Sequence, residues 1–157
     1  MKSRRALPAL FLLGAAFLAA CSTASVNPAG TSLAGTSWQL VAIQSMDDAQ
    51  GTTRIADPTR FTLHFGADGR ASLRLYCNRA TGTFEAIPAT DGSGSLRFGP
   101  VATTRALCPP PHLDERVARD LAYVRSYLVK DGKLFLSLMA DGGIYEWHPM
   151  TITEQAR

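Results

Sequence analysis

Cysteine is scarce in this 157-residue chain: there are three, and no two of them form a Cys-x-x-Cys pair. That excludes the common dithiol redox motif and the common zinc clip. Histidine is as sparse, and His64, His112 and His148 show no ligand spacing relative to the cysteines, so no metal and no cofactor is expected. A Gly-x-Ser-x-Gly elbow, a phosphate-binding P-loop and a dinucleotide fingerprint are missing. The Gly92-Ser93-Gly94 run leads into neither a lysine nor a helix and reads as a hairpin loop. Charge of one sign is also lacking. Of 16 Lys and Arg, Lys2, Arg4 and Arg5 stand in the first five residues, and the remaining 13 face 13 Asp and Glu. A neutral body offers no electrostatic footprint for nucleic acid. No apolar run is long enough to span a bilayer: Ala6 to Ala20 would make about 22 Å of helix against a hydrocarbon core of about 30 Å.

What is present begins with an address. The basic Lys2-Ser3-Arg4-Arg5 segment and the apolar run after it have signal-peptide architecture. Leu18-Ala19-Ala20-Cys21 then matches a bacterial lipobox, whose cysteine thiol takes a diacylglyceryl group. The expected layout is a lipoprotein signal peptide at 1–20, a flexible tether at 21–34, one domain at 35–149 and a tail at 150–157. Acyl chains of the palmitate type on Cys21 would hold the chain on a membrane, each buried CH₂ adding about 0.8 kcal/mol. Ser22 in place of Asp favours the outer membrane, with the domain facing the periplasm.

Two cysteines remain beyond the anchor, Cys77 and Cys108. In an exported domain they are expected to form a disulfide, with a metal pair or a redox centre as alternatives. A bridge closing roughly 30 residues would stabilise the fold by about 3–4 kcal/mol.

The body reads as strands, one helix, then strands. Ser37–Ile43 is β-branched and aromatic, and residues 44–59 form a long loop with a short strand near Arg54-Ile55. Phe61, Leu63 and Phe65 alternate with polar residues, Ala67-Asp68-Gly69 turns, and Ala71, Leu73, Leu75 and Cys77 alternate again. This is a half-buried hairpin in which Cys77 should point inward and His64 outward. Short strands follow at Thr81–Ile87 and Ser95–Phe98. After Pro109-Pro110-Pro111, the spacing of Leu113, Val117, Leu121, Val124 and Leu128 predicts one helix, with Arg116, Arg119 and Arg125 on its solvated face. Strands at Leu134–Leu138 and Ile144–His148 complete an α+β, mainly antiparallel β fold: a curved, barrel-like sheet with one packed α-helix. Glu146 and His148 share a strand face, a weak general-base pairing beside which a surface pair is the plainer reading.

Tyr76-Cys77-Asn78-Arg79 followed by Thr104-Arg105-Ala106-Leu107-Cys108 resembles the META domain, the HslJ-like heat-shock family of bacterial lipoproteins. Trp38, the Cys77-Asn78 pair, Thr104 with Cys108, the helix and Leu134-Phe135-Leu136 match that family in order, over residues 35–148. Tyr76 departs from the small residue common before Cys-Asn, and Ala106-Leu107 stand where Met is common. The resemblance implies an antiparallel barrel akin to small lipid-binding barrels, a link to envelope stress response and antibiotic tolerance, and no established enzymatic activity. Trp38, Asn78 and Thr104 would be structural signature residues. The expected function is therefore non-enzymatic: a membrane-anchored envelope lipoprotein that binds a partner protein or an apolar ligand. Two alternatives are a carrier with an acyl-chain cavity lined by Phe61, Phe65, Leu73 and Leu136, and a hydrolase using Glu146 and His148.

Overall fold

The structure is a computed structural model that describes residues 30–139 and 142–150. Cys21, the signal segment and residues 151–157 lie outside the described residues. Ten strands run β1 (Thr36–Gln44), β2 (Thr52–Arg54), β3 (Phe61–Phe65), β4 (Arg70–Leu75), β5 (Asn78–Pro88), β6 (Ser93–Phe98), β7 (Ala102–Thr103), β8 (Val124–Lys130), β9 (Lys133–Leu138) and β10 (Ile144–Pro149). A single α-helix among the described residues, α1 (Leu113–Asp120), lies between β7 and β8.

All pairings are antiparallel, in the order β10-β9-β8-β6-β5-β4-β3-β1, and β1 also pairs with β10. Eight strands therefore close into a barrel, with β2 added beside β1 and β7 beside β5. Closure removes the exposed edges that an open sheet of this size would present. The alternation in β3 and β4 sends Phe61, Leu63, Phe65, Ala71, Leu73 and Leu75 inward, as their spacing predicts.

The barrel is filled. Trp147, Tyr127, Phe65, Leu40 and Leu136 are fully buried in one cluster with Leu73 and Phe61. Phe65 packs edge-on against Phe84 with ring centroids 4.8 Å apart. The void among Val117, Leu136, Tyr145 and Trp147 measures about 10 Å³, no more than the roughly 10–15 Å³ needed to admit a single water. An acyl chain has no room there, and Phe61, Phe65, Leu73 and Leu136 all belong to the one buried cluster and enclose no acyl-sized cavity between them inside the barrel.

Three expectations about the chain path change. The helix stops at Asp120, a 3-10 turn covers Leu121–Tyr123, and Val124 starts β8. The helical spacing through Leu128 has a specific origin. A bulge between Val124 and Ser126 puts the buried residues of β8, Val124 and Tyr127, three apart instead of two. Leu128 faces outward, and Arg125 belongs to this strand, where it donates to the carbonyls of Ala122 and Val124. Next, Cys77 is exposed. Leu75 pairs with Asn78, so Tyr76-Cys77 is a two-residue turn, with Tyr76 at a φ of 59°, and the inward alternation ends at Leu75. Finally, Leu33, assigned to the tether on composition, is packed, while Thr31, Ser32 and Ala34 around it are exposed. Leu33 is in the core, and the Tyr127 hydroxyl donates to the Thr31 carbonyl at 2.9 Å. Met150, expected in the tail, still donates its N–H to the Ser37 carbonyl.

Candidate functional site

The helix end of the barrel gathers most of the residues that the sequence singles out. Asn78, the first residue of β5, is buried and uses its whole side chain. Its Nδ2 donates to the Ala106 carbonyl at 2.9 Å and to Asp114 Oδ2 at 2.8 Å. Its Oδ1 accepts from the Thr104 hydroxyl and from the Ala106 N–H, both at 2.8 Å. Thr104 Oγ1 in turn accepts from the Arg79 N–H at 3.0 Å. Cys77 and Cys108 are joined as a disulfide with Cα atoms 5.7 Å apart. One buried amide and one covalent bridge thus fasten the segment 104–108 to the β4–β5 turn. Buried amide groups left without partners cost about 1–3 kcal/mol each, and here every one of the four bonding positions of Asn78 is filled.

Asp114 shows what the sequence could not. In the first turn of α1 it suggests a dipole partner exposed to solvent. It is instead buried, bound to Asn78 through Oδ2, with Oδ1 meeting no protein donor among the described residues. The carboxylate couples the helix to β5, and no spacing rule signals a contact across 36 residues. Trp38, the other signature residue, is also buried, and its indole N–H donates to Thr36 Oγ1 at 2.7 Å.

Between Cys108 and α1 the chain frames an apolar groove of about 430 Å³, walled by Tyr76, Phe61, Ile55, Pro110 and Leu113. Tyr76 stacks near Phe61 with a centroid distance of 6.0 Å, and the Arg60 guanidinium lies 4.8 Å from the Tyr76 ring. Leu107 lies in a separate concavity of about 530 Å³, with Thr104, Arg105, Glu115 and Ala118, and is 91% exposed although both of its flanks are fixed by Asn78 and by the disulfide.

Glu146 and His148 do share one face of β10, as alternation requires. His148 Nε2 lies 3.2 Å from Glu146 Oε1, and Lys133 Nζ lies 2.8 Å from the same oxygen. Hydrogen bonding by Lys133, with His148 adding to it, holds the Glu146 carboxyl below its usual range. A carboxylate so engaged is a poor proton acceptor near neutral pH. At the closed end, the Tyr145 hydroxyl donates to Asp120 Oδ2 at 2.6 Å. Burial, and then the Asp120 charge, push that phenol well above its ordinary value. Arg116 and Arg119 both pair with Asp120, Arg119 from the exposed helix face expected for it and Arg116 from a half-buried position. His64 is exposed as expected, with Nδ1 2.8 Å from Ser37 Oγ. Among the described residues no three His, Cys, Asp or Glu side chains assemble into a metal-binding group.

A similar fold occurs in a solved structure. A protein from Burkholderia xenovorans determined by NMR aligns over 76% of this chain and 84% of its own, with 23% identity and a TM-score of 0.60. A DUF4847 family protein from Bacteroides vulgatus ATCC 8482 aligns over 74% of this chain and 93% of its own, at 14% identity and a TM-score of 0.49. No protein of curated function matches the chain. A family model described as META domain matches residues 31–148, a span that includes the buried Leu33. With the Cys77–Cys108 bridge, the Asn78–Thr104 hydrogen bond and the eight-stranded closure all lying inside that match, the chain belongs to the META domain family.

Proposed function

We propose that this protein is a non-catalytic lipoprotein of the bacterial envelope, acylated at Cys21. Its barrel holds out the 104–112 segment to an envelope protein, in a role in envelope maintenance or stress response. One observation carries the reading. Leu107 is 91% exposed on a segment that a disulfide and a fully bonded buried asparagine make rigid. An isolated exposed leucine is ordinary, but one held in a fixed place at a concavity shared with α1 offers an anchor without a large ordering cost on binding. The filled interior supports the same conclusion, since it moves any ligand or partner to the outside. The engaged Glu146 carboxylate favours a binding role over hydrolysis. The lipobox Leu18-Ala19-Ala20-Cys21 supports an outer-membrane anchor facing the periplasm.

Two measurements test the proposal. Cells expressing the chain are labelled with palmitate: the native protein should carry label in the envelope fraction and a Cys21→Ser variant should not. Unlabelled native protein, or label that survives Cys21→Ser, overturns the anchor. A photocrosslinking residue at position 107 should give a discrete adduct in intact envelopes that Ala118→Arg, on the helix wall of the same concavity, abolishes. Equal crosslinking from position 107 and from a remote exposed site such as Lys130 overturns the binding surface.

A further inference from the structure

The charge balance of the body that follows the basic first five residues hides a segregation of charge. On the outward side of the β3–β4–β5 sheet, Arg74 on β4 stands directly opposite Arg79 on β5, and Thr62 on β3 stands opposite Arg74. Arg70 projects from the same face of β4, opposite Thr83. Like charges in directly opposed positions destabilise a strand pair. A counter-charge could offset this, yet among the described residues Arg70, Arg74 and Arg79 enter no ion pair. The face is concave, enclosing about 680 Å³, and among the described residues no Asp or Glu lines it. Between the arginines stand His64, Ser72 and Thr81, which add donors and no negative charge. A surface with guanidinium and hydroxyl donors and no acceptor of full charge is complementary to phosphate.

We propose that this face, centred on Arg74 and Arg79, lies against the phosphate headgroups of an anionic phospholipid bilayer. The proposal rests on the reading above that Cys21 holds the chain at a membrane. Two further observations favour a bilayer over an acidic protein. Protein partners are held chiefly by buried aromatic or arginine anchors seated in matching pockets. This concavity has no aromatic wall, and of its apolar members Leu73 and Ala80 are buried. The second observation is reach. Gly30 packs beside Pro88 and Ala89 at one end of β5, and Arg79 stands at the other. Nine residues separate Cys21 from Gly30, a span of at most about 30 Å. An anchor at that end leaves the barrel free to lie along β5 with the arginines on the surface. Each basic side chain near an anionic surface contributes about 1 kcal/mol, so two together supply roughly a 30-fold gain in binding.

The test uses the chain from residue 21 onward with Cys21→Ser, which contains the whole barrel from Leu33 to Pro149 and carries neither leader nor acyl group. Binding is measured by co-sedimentation with vesicles of phosphatidylcholine alone and with 30 mol% phosphatidylglycerol, a composition chosen for the assay. The anionic vesicles should bind it and the neutral ones should not. Arg74→Ala with Arg79→Ala should weaken binding by at least about tenfold, while Arg54→Ala with Lys130→Ala, an equal loss of charge elsewhere, should leave it near the parent level. Relief of the opposed charges should leave the melting temperature of the Arg74/Arg79 variant unchanged or higher. Absence of binding, or equal losses in both double variants, overturns the proposal. So does saturation of the Ser72 and Thr81 amide shifts by inorganic phosphate without vesicle binding, or by an acidic peptide alone. Acylation of Cys21 is read separately from the mass of the native protein, so a failure of the anchor and a failure of this face give different results.

Discussion

Asn78 Nδ2 and Asp114 Oδ2 meet at 2.8 Å, which ties the first residue of β5 to the first turn of α1. Removing the amide leaves Asp114, the Ala106 carbonyl and N–H, and the Thr104 hydroxyl without this partner. Asn78→Ala should therefore lower unfolding stability by about 2–4 kcal/mol, beyond the loss of a single hydrogen bond. Asn78→Asp should be at least as damaging near neutral pH, because it sets a second carboxylate against Asp114. Urea unfolding at pH 7 checks both, and a change below 1 kcal/mol for either would contradict the network's role.

The disulfide joins an exposed cysteine to a buried one. Cys77 lies in the turn at the surface, and Cys108 is 3% exposed. Thiolates such as glutathione should attack the Cys77 sulfur and expel the Cys108 thiolate. Trapping and peptide mass analysis should place the mixed disulfide on Cys77. Cys77→Ser with Cys108→Ala should cost about 3–4 kcal/mol, the loop-closure entropy of 31 residues. A mixed disulfide found mainly on Cys108 would refute the first expectation.

Gly94 allows β6 to pass close to a core ring. A Cβ there would stand 2.5 Å from Tyr127 Cε1 and 2.5 Å from the Ile87 carbonyl oxygen. Gly94→Ala should destabilise the barrel by about 1–3 kcal/mol through overpacking, despite its lower chain entropy in the unfolded state. Thermal unfolding reads this directly, and an unchanged or raised midpoint would count against it.

Two groups give stability opposite dependences on pH. Glu146 is held below its ordinary value of 4.5, mainly by Lys133. Its contribution is complete above that value and is lost as pH falls through the lower folded value. Tyr145 is held above its ordinary value of 10.0, mainly by burial. Its contribution is complete below pH 10 and fades above it, where the unfolded phenol ionises and the folded one does not. Glu146→Gln should flatten the acid limb of a stability–pH curve and Tyr145→Phe the alkaline limb. Crossed effects would show the assignment to be wrong.

The parts of this molecule that were readable before its structure are those set by local alternation. The β3–β4 hairpin, β9, β10 and the opening of α1 follow from period-two and period-four spacing, because each buries a face against whatever lies across it. Helix length failed where the bulge in β8 placed Val124 and Tyr127 at a helical interval. The orientation of Cys77 failed because a two-residue turn with Tyr76 at positive φ breaks the alternation one residue early. Leu33 was concealed by its polar and small neighbours, since burial there depends on the barrel end that it fills. Within the candidate site, Asn78, Thr104 and the two cysteines were visible through the family's pattern. Asp114 and the opposed Arg74–Arg79 pair were not, since each depends on partners brought together by pairing register.

The seam between β1 and β10 joins residues about a hundred positions apart, with Leu40 against Trp147. For a chain that emerges N-terminus first, the cylinder has no closing stave until its final segment arrives, so its nearly complete precursors present an open flank to chaperones and to one another. Assembly should be slow for the chain's size, as high contact order dictates. A circularly permuted version that joins the two ends near the seam and opens the β8–β9 turn at Asp131-Gly132 should retain the architecture while making that longest-range pairing local.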